Sequence, residues 1–203
     1  MNKPIAAALC LAVLGVVASA SLAVAQQRTG KPNAAAEAAQ GRKLTTIKDL
    51  MDSIIDPSAD VVWGAAGTVV DQDGVHDTFP KTPEEWLNVR RAAIRIIEGS
   101  NLLLMPGREA APPGTKSETP GVELEPPEIT ALVKKNRRSF DAFARSLQAL
   151  GFESVRAIEA QDTAALLEIG GRMQDVCEGC HQAFWYPGAK QPYSIRDQQP
   201  SRK

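Results

Sequence analysis

The run Cys177-Glu178-Gly179-Cys180-His181 constrains this 203-residue chain more than any other stretch. A C-x-x-C-H run is the signature of covalent c-type haem attachment, in which two thiols add across the porphyrin vinyl groups and the adjacent imidazole becomes the proximal iron ligand. On a helix, Cys177, Cys180 and His181 share one side, because residues three and four apart are surface neighbours. A flat ring can then lie against that face. The expectation is one covalent haem c per chain, with Cys177 and Cys180 as cofactor-binding residues and His181 as the iron ligand.

Two rival readings of a C-x-x-C pair fit less well. A thioredoxin-like dithiol opens a helix after an early strand of a βαβ fold, whereas this pair lies within a helical pattern with only 22 residues after His181. A structural zinc usually takes four Cys or His ligands, and outside the run the chain offers only His76 and Cys10.

Cys10 falls in a segment read as a secretory signal spanning residues 1–25. Lys3 supplies the positive start, Ile5 to Ala18 the apolar stretch, and Ala23-Val24-Ala25 the small-residue cleavage site. The apolar stretch is too short for a membrane span, so no stable membrane insertion is expected. Cleavage after about Ala25 would leave an exported, periplasmic chain whose two cysteines both belong to the motif. It would also take one lysine from the 23 basic residues, leaving 22 against 24 acidic, and so near-balanced a charge gives no field for nucleic acid.

Residues 26–43 are rich in Gln, Ala, Gly and Lys without apolar period and read as a flexible leader. The main domain is expected over 44–186, with a polar tail over 187–203. Its first helix carries Ile47, Leu50, Met51, Ile54 and Ile55, then Val61, Val62, Ala65, Ala66 and Val69, with Pro57 expected to kink or split it. After a polar turn from Asp71 to Pro80, Thr82-Pro83-Glu84-Glu85 is a capped start for a second helix bearing Trp86, Val89, Ala93, Ile96, Ser100 and Leu103.

Residues 106–127 hold six of the 14 prolines and read as a long exposed loop, a tolerated insertion. A third helix opens near Pro127 with Ile129, Val133, Asn136, Phe140, Phe143, Leu147 and Leu150 in steps of four and three, interrupted at Gly151. The last helix, about Thr163 to Trp185, turns Leu166, Gly170, Met173, Cys177, Cys180, His181 and Phe184 to one side. No strand-like alternation occurs, so the fold class is all-α: an antiparallel four-helix bundle with covalently bound haem.

A four-helix sequence whose C-x-x-C-H lies on the last helix, about twenty residues from the end, resembles the cytochrome c′ and cytochrome c556 family. The resemblance covers about residues 44–186 and implies up-down-up-down topology. It further implies that a first-helix residue faces the open side of the haem, and Met51 matches by position. A methionine there makes iron six-coordinate; an open site, or ligation by His76 or Met105, are the alternatives. Met173 is excluded because it shares a helix face with His181. Trp185 stands where the family usually has a basic residue, and Trp63, Trp86 and Trp185 read as core or haem-edge packing.

The function so implied is that of a periplasmic electron carrier, not an enzyme, with iron held by His181 and Met51. The alternative is a five-coordinate protein that binds nitric oxide or carbon monoxide. Redox partner proteins are expected, and the resemblance implies pairing as homodimers through the first two helices. Lys134, Lys135, Arg137 and Arg138, and the tail residues Lys190, Arg196, Arg202 and Lys203, could steer an acidic partner. A solvated helix face and a loose chain end are the plainer reading of those charges.

Overall fold

The computed structural model describes residues 45–188. The expected signal with Cys10, the expected leader and the basic residues Lys190, Arg196, Arg202 and Lys203 lie outside them. Thr46 and Asp49 open the first helix with reciprocal bonds: the Asp49 N–H donates to Thr46 Oγ1 at 3.2 Å and the Thr46 N–H to Asp49 Oδ2 at 2.8 Å. From there the chain stays helical to Trp63 as α1 (Ile47–Leu50), a π-turn (Met51–Ile55) and α2 (Asp56–Trp63).

Pro57 neither breaks nor ends this helix. A proline lacks the N–H and crowds the carbonyl four residues back. The strain is taken up by the wider turn just before it, in which the Asp56 N–H donates to the Met51 carbonyl five residues earlier.

The helix stops at Trp63, short of the Val69 expected on its stripe. Strands β1 (Gly67–Asp71) and β2 (Gly74–Thr78) then form an antiparallel hairpin, replacing both the end of that stripe and the expected polar turn. Gly74, at φ 129, supplies the turn conformation that a side chain would strain. Every residue of β2 is exposed, so no buried face imprints a two-residue alternation on the sequence.

Thr82 caps α3 (Pro83–Leu103) with Glu85, as its sequence demands. The expected third helix is two segments, α4 (Pro126–Lys135) and α5 (Arg137–Glu159), parted at an exposed Asn136 that is not on the packed seam. Arg137, just past the break, donates to the Leu103 and Leu104 carbonyls at 3.0 and 2.7 Å and so caps the end of α3. Lys134 pairs with Glu109 at 3.0 Å. Much of the basic stretch therefore has structural work.

Gly151 does not interrupt α5. It is the crossing point with α3, where a Cβ would stand 2.7 Å from Ile97 Cγ1. The last helix, α6 (Thr163–Phe184), starts from Asp162, whose Oδ1 accepts the Ala165 N–H at 2.9 Å. Helix α3 packs on α2 and α5, and both of those pack on α6. Ile55, Ile96, Leu147, Leu166 and Met173 meet in the shared core. Buried Ser100 and Ser154 donate back to the Ile96 and Leu150 carbonyls, each at 2.8 Å, so neither hydroxyl is stranded.

Residues 106–125 form the expected irregular and mostly exposed loop, but it is pinned to the helices as a strap. Arg108, Ala110 and Ala111 are buried. The Ile47 and Lys48 N–H groups donate to the Glu109 and Ala110 carbonyls at 2.9 and 2.8 Å, satisfying helix-start donors that have no partner within α1. At the far end the Leu124 N–H donates to the Trp185 carbonyl at 2.9 Å. The buried Ala110 N–H donates to Thr130 Oγ1 at 2.9 Å. Thr130→Val is expected to strand that donor and cost about 1–3 kcal/mol, read as a lower urea midpoint at unchanged slope. Among the described residues no helix is long and apolar enough to cross a membrane.

Candidate functional site

The motif sits in the last two turns of α6, unbroken from Thr163 to Phe184, so Cys177, Cys180 and His181 share a side. The structure brings all three to Met51 from the π-turn. A cleft of about 260 Å³ is lined by Met51, Cys180 and His181 together with strap residues Thr115 to Glu118. Adjoining it, a gap of about 30 Å³ is lined by Met51, Cys177, Cys180 and His181 with Phe140, Phe143 and Leu147. Met51, Asp56, Phe140, Cys180 and His181 border both spaces, which makes them two halves of one slot between the first helix and the last.

Aromatic packing holds the motif helix in place. Phe184 meets Phe140 and Phe143 edge to face, with ring centres 5.5 and 6.4 Å apart. Trp185 lines the cleft, and its N–H donates to the His181 carbonyl at 2.7 Å. Glu178, inside the motif, accepts from Tyr186 Oη at 2.7 Å and from Gln182 Nε2 at 2.8 Å. Burial first, and that bond to Glu178 second, raise the Tyr186 phenol above its ordinary pKa. The Tyr186 ring centre lies 6.2 Å from that of His181.

Burial pushes the Cys177 thiol up to about 11, with the Asp56 charge adding to it. Burial and the neighbouring Cys177 push Cys180 to about 12. Both thiols are protonated at neutral pH, the opposite of the low-pKa thiolate at a helix N-terminus that a redox dithiol requires. Among the described residues no three His, Cys, Asp or Glu side chains gather as a metal-binding group.

The residues present suit a covalently held haem. Two half-buried thiols and an imidazole stand on one helix face, and apolar rings line the slot. A thioether enters from the facing helix, a soft donor that iron accepts. The two other candidates for that role do not reach the slot. His76 lies on β2, and Met105 follows α3 with its Sδ 3.7 Å from an Arg108 nitrogen; neither lines the cleft or the gap. Met173 is buried in the core, outside both spaces.

Sequence reasoning missed the strap, Asp56, Lys48 and Tyr186. Lys48 pairs with Asp52 at 3.3 Å and with strap residue Glu118 at 2.7 Å, and the Glu118 bond raises its pKa most. Where the resembled family has a base after the motif, the cations lining this cleft are Lys48 and Lys116, from the first helix and the strap. Burial raises the Asp56 carboxyl, while the His181 imidazole opposes that rise. Comparison with protein-family models, curated proteins and solved structures finds no match for the chain.

Proposed function

We propose that the chain is an exported monohaem c-type cytochrome that carries electrons, built as an antiparallel four-helix bundle in which α4 and α5 together serve as the third helix. The observation that carries this reading is the meeting of Cys177, Cys180 and His181 on α6 with Met51 across one slot, apolar where Cys177 lines it. Cys177 and Cys180 would hold the group through thioethers, and His181 and Met51 would supply donors to its iron. When bound, a haem supplies one-electron ferrous–ferric exchange.

The chain's own part is to keep that slot dry and unchanging. Phe140, Phe143 and Leu147 give the smaller gap an apolar lining. The Trp185 N–H to His181 carbonyl bond and the Phe184 contacts hold the end of α6 in register. Rigid donors suit electron transfer, which needs no substrate pocket. Redox proteins are the partners this reading implies, in the periplasm, with pairing of two copies through the first two helices as a further part of the proposal.

The test is the optical and spin-resonance spectrum of the oxidised, pigmented protein, with and without Met51→Ala. A low-spin wild type that turns high-spin on substitution is the expected result. A wild type already high-spin, and quick to bind carbon monoxide when reduced, overturns the carrier in favour of a gas-binding protein.

A further inference from the structure

The hairpin takes no part in the function proposed above, and it lies far from the slot. Helix α3 begins beside it at Pro83 and reaches the gap at Leu103, so about 30 Å of helix separates the two places. Whatever docks at the hairpin leaves the motif end of the bundle open.

Strands β1 and β2 pair without a bulge from Gly67 opposite Thr78 to Asp71 opposite Gly74, and among the described residues no third strand joins them. The outer edge of β2 is therefore open to another backbone. Sheet edges are commonly guarded by a lysine, a proline or a bulge, and Gly74-Val75-His76-Asp77-Thr78 carries none of these. Its carboxylate is turned across the ribbon, where Asp77 Oδ1 accepts from Thr68 Oγ1 at 2.8 Å. Val70 and Val75 stand opposite each other and are 74% and 69% exposed, the most exposed large apolar side chains among the described residues.

A groove of about 740 Å³ continues from the end of β2. Asp77 and Thr78 bring the strand to it, Phe79 and Val89 give it apolar surface, and Asp77, Glu84 and Glu85 outnumber Lys81. Phe79 holds the Lys81 ammonium 5.8 Å from its ring centre, which is how an aromatic face receives a cation. An open edge takes an extended backbone, and a net acidic groove takes lysine or arginine. A second copy of the hairpin suits this surface poorly, because Asp77 and Glu84 would meet their own kind.

We propose that β2 is a docking edge for an extended, basic segment of another protein, which adds as a third strand beside Val75 and lays its lysine or arginine side chains in the acidic groove. Such a segment anchors the chain by the end remote from Cys177, Cys180 and His181, so the motif stays accessible while the protein is held. The inference does not depend on what the slot contains.

The experiment titrates the full-length protein with three labelled synthetic peptides, followed by fluorescence anisotropy. The first is a strand-forming peptide of valine, threonine and lysine; the second has glutamate for every lysine; the third is the lysine peptide N-methylated throughout, which cannot donate backbone hydrogen bonds. The lysine peptide alone is expected to bind, more tightly as salt is lowered. Asp77→Asn with Glu84→Gln is expected to weaken it about tenfold, the order of effect of losing two surface charges, and to leave the melting temperature unchanged.

Binding of the methylated peptide as tight as that of its parent overturns the third strand. Equal binding of the lysine and glutamate peptides, an affinity indifferent to Asp77→Asn with Glu84→Gln, or no binding at all overturns the inference as well. Sedimentation of the same mixtures covers the remaining occupant: a lysine peptide that splits a pair of copies into single chains shows that a second copy holds the edge, and that too overturns it.

Discussion

Serine in place of both Cys177 and Cys180 yields a polypeptide without covalent pigment, when expressed beside haem-maturation machinery and denatured before analysis. The wild type is expected to keep its colour through denaturation and to exceed the processed polypeptide in mass by one haem. The reason is chemical: the thioether forms by addition of a cysteine sulfur to the vinyl group, and a hydroxyl of nearly the same size is too weak a nucleophile to replace it. The effect is all or none, and equal masses for the two proteins would refute the haem proposal. The serine protein is also expected to melt at a lower temperature, since the slot between the first helix and α6 would lose the apolar plate that fills it.

The second large effect is structural and independent of the haem. Valine at Gly151 is expected to destabilise the protein by about 3 kcal/mol, the upper part of the usual range for overpacking a filled core. In a chain of this size that lowers the melting temperature by roughly 6–12 °C. The clash is with Ile97 Cγ1, near the root of a buried side chain, and with the Ile97 backbone nitrogen 3.4 Å away, so the neighbour cannot swing aside. Gly171 on α6 is the contrast: it is exposed, a Cβ there meets nothing within 4 Å, and alanine is expected to stabilise the helix by about 0.5–1 kcal/mol. Equal responses at the two glycines would show that helix propensity, not the α3–α5 crossing, governs them.

These two positions mark the limit of reading from sequence. Gly151 reads as an interruption because glycine is a poor helix former, yet a steric need at a crossing 54 residues away in the chain outweighs that propensity. Asn136 fails in the opposite way. It falls on the apolar seam by count, but the helix breaks there and leaves it exposed, with Arg137 turned to the carbonyls ending α3. The hairpin left only its turn as a trace, Asp73-Gly74, because an exposed ribbon carries no hydropathy pattern. The strap left none. It is held largely by backbone hydrogen bonds to Ile47, Lys48 and Trp185, and backbone groups are the same in every residue, while the Thr130 hydroxyl that accepts from Ala110 carries no signal of its partner.

What the sequence determined by itself is local: the capped start at Thr82, the helical stripes, and the placing of Cys177, Cys180 and His181 on one face of α6. All of these follow from the repeat of a single helix, in which neighbours are set by spacing along the chain. What only the tertiary structure decided is which side chains face that motif. Met51 arrives from the opposite helix, the strap lines the cleft, and Asp56 enters through a π-turn that shifts the helical phase. Such meetings depend on how separate helices pack and on a change of hydrogen-bond pattern at one turn, and neither is encoded in the spacing of any single segment.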